Sequence, residues 1–70
     1  MWIKTRDGSI VNSNRVKSFM CANGSVFANY DTPGNFDIIA DYDNNKGAES
    51  CLNKLLNALV RDDAVFVVED

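Results

Sequence analysis

DYDNNKGAESCLNKLLNALV, residues 41–60, is where the chain changes period. Before Tyr42, apolar residues come in short runs separated by turn residues. From Ala48 onward they fall at steps of three and four. Ala48, Cys51, Leu52, Leu55, Leu56 and Leu59 form one stripe, while Lys46, Glu49, Ser50, Asn53, Lys54 and Asn57 fill the other side. That spacing is expected of an amphipathic helix of about four turns with one face for a sheet.

The same stretch opens with the acid–amide alternation of a calcium loop, and that reading fails on counting. An EF-hand loop needs glycine at its sixth position and a bidentate glutamate at its twelfth. Counted from Asp41, the sixth residue is Lys46, the glycine comes one place late, and the twelfth is Leu52 on the apolar stripe. A helix start accounts for every residue instead. Tyr42 ends a strand pointing inward, and Asn44 or Asp43 caps the helix by accepting from its unpaired N–H groups. The neighbouring acids favour the positive end of the helix dipole. No metal or cofactor is expected.

Working back toward the N-terminus, turn signals recur at short intervals. Asp7-Gly8 separates WIKT from SIVN, and Asn12-Ser13-Asn14 precedes RVKSFMC. Asn23-Gly24, a strong hairpin signal because both residues tolerate positive φ, precedes SVFANY. Thr32-Pro33-Gly34-Asn35 has proline and glycine in the order of a type II turn and precedes FDIIADY. Strands joined by such short turns pair antiparallel. Beyond the helix, Arg61-Asp62-Asp63 stops it and AVFVV reads as a last strand. The expected fold is α+β over one small domain, residues 1–70. It comprises an antiparallel four-stranded β-meander with its first strand or two short, one amphipathic helix packed on one face, and a C-terminal strand, in the order β-β-β-β-α-β.

Composition narrows the work such a fold can do. Seventy residues bury only about 60% of the surface their unfolded chain exposes, so a partner chain is a plausible source of stability. No apolar run approaches the roughly 20 residues needed to span a bilayer, and the N-terminus carries no signal-peptide core, so a cytoplasmic location is expected. Cys21 and Cys51 are then expected as reduced thiols, and two cysteines without histidine fall short of a zinc site. The net charge of −3 is uneven: residues 1–30 balance at +3 and residues 31–70 at −6. Four scattered cations (Lys4, Arg6, Arg15, Lys17) are a poor nucleic-acid footprint.

Catalysis finds no obvious instrument. There is no histidine to serve as a base near neutral pH, and hence no Ser–His or Cys–His pair. Asp41 and Asp43 form a carboxylate pair beside a turn, where nothing splits their pKa values. Ser50 and Lys54 share the helix's solvent side. Cys51 lies on the buried stripe as a small hydrophobe, and Cys21, beside the hairpin turn, is the more exposed thiol. No glycine-rich phosphate loop and no small-molecule substrate site is evident. A non-enzymatic protein is expected.

Strand alternation points to a docking surface. It separates Val16, Ser18 and Met20 from Lys17, Phe19 and Cys21; Val26, Ala28 and Tyr30 from Phe27 and Asn29; and Phe36, Ile38, Ala40 and Tyr42 from Asp37, Ile39 and Asp41. One helix covers one face of a small sheet. If it covers the larger set, Phe19, Phe27 and Ile39 remain outside, rimmed by Lys17, Asp37 and Asp41. A clustered apolar patch with a charged rim marks a binding surface, most often between two copies of one chain. The expected role is a protein–protein interaction module, self-associating as a homodimer or binding another protein. The alternative is a phage-type inhibitor, or nucleic-acid mimic, docking Asp41, Asp43, Asp62 and Asp63 on a basic host protein.

The opening MWIKTRDGSIVNSNRVKSF resembles the start of a small flagellar/swarming-motility protein family. Thr5-Arg6, Gly8, Asn12 and Val16 match its threonine–arginine, glycine turn, asparagine and aliphatic-led second strand. The chain is also similar to small uncharacterised proteins of Gram-positive bacteria and their prophages, through the DG…VN…V opening and Tyr42-Asp43 before the helix. The resemblance implies a bacterial or phage source and the strand-then-helix order, and brings no catalytic residue. The C-terminal strand and the Thr32–Asn35 turn depart from it.

Overall fold

The turn residues act where the sequence places them. In the computed structural model, which describes residues 1–69, Asn23 and Gly24 both take positive φ (52° and 84°) and close a two-residue hairpin between β3 (Ser18–Ala22) and β4 (Ser25–Asn29). Gly34 takes φ 82° and the Asn35 N–H donates to the Thr32 carbonyl at 3.0 Å, the bond of a type II turn leading into β5 (Phe36–Asp41). Helix α1 runs Asn45–Val60, with Asn44 as its N-cap, the side chain accepting from the Gly47 N–H at 3.0 Å. No helix among the described residues is long and apolar enough to cross a membrane.

The α+β class holds, and the single meander does not. Among the described residues six strands form two three-stranded sheets, ordered β2-β1-β6 and β3-β4-β5, where β1 is Trp2–Lys4, β2 is Ile10–Asn12 and β6 is Val65–Val67. The break lies at Ser13–Arg15, a 3-10 turn whose N-cap Asn12 accepts from the Asn14 N–H at 3.1 Å. That local bonding turns the chain out of the first sheet before β3 can pair with β2. The last strand closes the first sheet by running parallel to β1, with Ile3 opposite Phe66. Parallel pairing needs a crossover, and here everything between β1 and β6 serves as one.

Inside the second sheet, β4 and β5 slip register between Val26 and Phe27: Val26 faces Ala40, Phe27 faces Ile38, and Ile39 is the extra residue of a β-bulge. A bulge puts two neighbouring residues opposite one, so Ile39 and Ala40 both turn inward, at 0% and 2% exposure. The core they join includes Ile3, Val11, Val26, Ala28, Ala48, Cys51, Leu55 and Val68. The helix supplies Ala48, Cys51, Leu55 and Ala58 to it. Leu56 and Leu59, expected on the same stripe, lie at its margin and stay 55% and 37% exposed. The radius of gyration, 11.0 Å, is what about 2.2·N^0.38 Å gives for one compact unit of this length.

Candidate docking faces

Both sheets have one face in the core and one outside it, so the outward side chains of adjacent strands define the candidate sites. On β2-β1-β6 the register sets Trp2 between Asn12 and Val65, and Lys4 between Ile10 and Val67. Alternation buries Ile3 and Val11 beneath them. Four large apolar side chains are left in water: Trp2 54%, Ile10 68%, Val65 56% and Val67 52% exposed. With Lys4 they line an open, almost wholly apolar hollow of about 480 Å³. Lys4 makes no ion pair among the described residues and lies amid them, where a lysine stem covers apolar surface while its ammonium reaches water.

The outward face of β3-β4-β5 carries Met20, Phe27 and Ile38 in one cross-strand row. Phe36 packs edge-to-face on Phe27, ring centroids 5.4 Å apart. The expected trio of Phe19, Phe27 and Ile39 is not on this face together. Ile39 is fully buried by the bulge, and Phe19 pairs with Ala28 on the inward side, packed against the core. Only Phe27 of the three points outward, and Lys17 is exposed just ahead of β3. Part of the correction was available in the sequence. A two-residue turn at Asn23-Gly24 pairs Ala22 with Ser25 and hence Cys21 with Val26, which sorts Phe19 with Ala28. The bulge had no such signal. The Trp2/Ile10/Val65/Val67 face was not legible either, because it exists only once β6 has found β1.

The four acids expected to dock together are also apart. Asp41 and Asp43 precede the helix and Asp62 and Asp63 follow it, some 24 Å along its axis at about 1.5 Å per residue over 16 residues. Each pair is locally engaged. The Asp41 carboxylate accepts from the Ser25 hydroxyl, its carbonyl accepts from the Arg6 guanidinium, and Asp63 pairs with Arg61 at 2.9 Å. That bond to Asp63 holds the Arg61 guanidinium above its ordinary value. Arg6 also stands over the Tyr42 ring, 4.9 Å from its centroid.

Two further polar groups have shifted proton affinities. The Tyr30 hydroxyl donates to Asp37 at 2.5 Å, and that bond, with partial burial and the carboxylate charge, pushes the phenol up to about 12. Asp7 is held below the usual carboxylate range by the Thr5 hydroxyl and the Ser9 N–H, which both donate to it in the β1–β2 turn. Cys51 is buried and Cys21 half-buried on the inward side of β3; both are free thiols. Among the described residues no three of the metal-binding side-chain types come together. No family model, curated protein or solved structure matches the chain.

Proposed function

We propose that this chain is a non-enzymatic interaction module that self-associates through the outward face of β2-β1-β6. One observation carries the reading: four large apolar side chains, each more than half exposed, stand side by side on three adjacent strands. Isolated exposed apolars are ordinary on a protein surface, whereas contiguous ones mark contact sites. A symmetric pairing is the commonest way one chain uses such a patch. A standard interface removes about 800 Å² from each partner, roughly a sixth of this chain's 4741 Å². The four side chains are its centre with the Lys4 stem among them, and Asn12 stands at the edge.

The docking of an acidic surface on a basic partner loses support from the separation of its two carboxylate pairs by the length of the helix. The single tryptophan offers a direct readout for the preferred reading, because Trp2 is part of the patch. Sedimentation velocity across a concentration series should show a monomer–dimer equilibrium, with Trp2 emission moving to the blue as dimer forms. Val65→Lys, at an exposed position, should abolish both while leaving the monomer's unfolding free energy within about 0.5 kcal/mol of the parent's. A monomer up to millimolar concentration with unchanged Trp2 emission disproves the proposal.

A further inference from the structure

The two sheets leave a trough between β2 and β5. At one end it is closed by the Arg6 N–H donating to the Ile39 carbonyl at 2.9 Å. From there it opens into about 400 Å³ of space between Ile10 and Val11 on one wall and Phe36 and Ile38 on the other. A further hollow of about 690 Å³ continues along the same β2 residues toward Asn12 and the Tyr30–Asn35 turn.

Main-chain polarity makes this trough more than a crease. In an antiparallel ladder, hydrogen-bonded and non-bonded pairs alternate. Ser13 donates to Met1 and Thr5 donates to Ser9, so the bonded pairs of β1 and β2 are the odd-numbered ones, including Ile3 with Val11. The N–H and C=O of Ile10 and the N–H of Asn12 therefore point away from β1, into the trough. On the far wall Tyr30 donates to Asn35, so Ala28–Asp37 is the next bonded pair and Phe36 and Ile38 present their N–H groups outward. No main-chain or side-chain partner meets these N–H groups among the described residues. The other edge of the first sheet differs, since the hollow beside β6 has the helix as its far wall, with Ser50, Cys51 and Lys54 on it. Helical main chain is already paired.

We propose that β2 takes an extended peptide from another protein as an added strand, lying in this trough. Unpaired edge N–H and C=O groups are the template for such addition, and flanking side-chain pockets select the sequence. Ile10, Phe36 and Ile38, at 68%, 48% and 43% exposure, ask for apolar residues at alternate peptide positions. Asp7, Asp31 and Asp37 outnumber Arg15 along the walls, so the peptide carries a lysine or arginine at its flank. The inference goes beyond self-association and rests on further groups, the main chain of β2 and the side chains of Phe36 and Ile38; Ile10 is the one side chain both surfaces share.

The test pans a random displayed-peptide library against the full chain carrying Val65→Lys, which keeps it independent of the dimer. The strongest binder is then synthesised and titrated into isotope-labelled protein. Enriched sequences should alternate apolar residues beside a basic one. Binding should slow amide exchange at Ile10 and Asn12 by about tenfold or more. N-methylating the peptide amides that face β2 should weaken it about tenfold or more, as the loss of main-chain hydrogen bonds requires. A library that yields no binder overturns the proposal. So does a binder that leaves the Ile10 and Asn12 amides unprotected, or one indifferent to N-methylation.

Discussion

Gly24 shows how much one residue carries. Its φ of +84° suits the hairpin, and a Cβ there would meet the Tyr42 carbonyl oxygen at 2.6 Å. Its N–H also donates to the Asn45 side chain, so the β3–β4 turn is seated against the start of the helix. Gly24→Ala combines strained backbone with a backbone clash, and should cost about 1–3 kcal/mol, read as a lower denaturant midpoint at unchanged m-value. Asn23-Gly24 announced a hairpin, yet its contact with Tyr42 and Asn45 was invisible, since those residues lie some twenty positions away. Tyr30 gives a second residue-level test. Its folded pKa of about 12 lies above the ordinary 10.0. Below pH 10 the phenol keeps its proton whether folded or not, and the hydrogen bond to Asp37 contributes fully. Between pH 10 and about 12 the unfolded phenol ionises first, so stability falls as pH climbs through that window. Tyrosinate absorbance should show a phenol titrating near 12 that Asp37→Asn returns toward its ordinary value.

Among the elements, the helix was the most legible and the sheets the least. Asn44 as cap and the Ala48/Cys51/Leu55 stripe stand where the period and the amide chemistry put them, because those signals are local. The helix end is less conventional. The Asp63 N–H donates to the Ala58 carbonyl and the Asp62 N–H to that of Leu59, the paired bonds of a Schellman motif, with Asp62 at φ 60° where glycine is usual. Aspartate adopts that conformation more readily than most residues but still at a cost that glycine does not bear. Asp62→Gly should therefore stabilise the protein by about 0.5–1 kcal/mol in thermal or chemical unfolding. The turn signals marked the breaks between strands, but five strands precede the helix where four were expected, and their grouping was not read. A 3-10 turn at Ser13–Arg15 and a single extra residue at Ile39 decide which strands share a sheet and which side chains share a face. Neither leaves a periodic trace in seventy letters.

At the scale of the molecule, the charge and the apolar faces pull in opposite directions. Two copies of a chain with net charge −3 repel, and a face-to-face pairing brings each Lys4 close to the other's surface. Salt screens both effects and leaves apolar contact intact, so self-association should tighten when ionic strength rises from about 0.01 to 0.15 M, where the Debye length shrinks from about 30 to 8 Å. Concentration-dependent sedimentation at the two salts checks it; association that weakens with salt would contradict an apolar contact. The pairing of Trp2–Lys4 with Val65–Val67 has a further bearing, on how the protein is made. Residues 2–4 are made before residues 65–67, so β1 can pair with β2 at once but must wait for β6 to complete its sheet. Contacts of such sequence separation are slow to form, and until then the edge of β1 that β6 covers stays unpaired. Translation halted short of Val65 thus yields a chain that can still form the β1–β2 hairpin and the β3-β4-β5 sheet but leaves the far side of β1 without its strand.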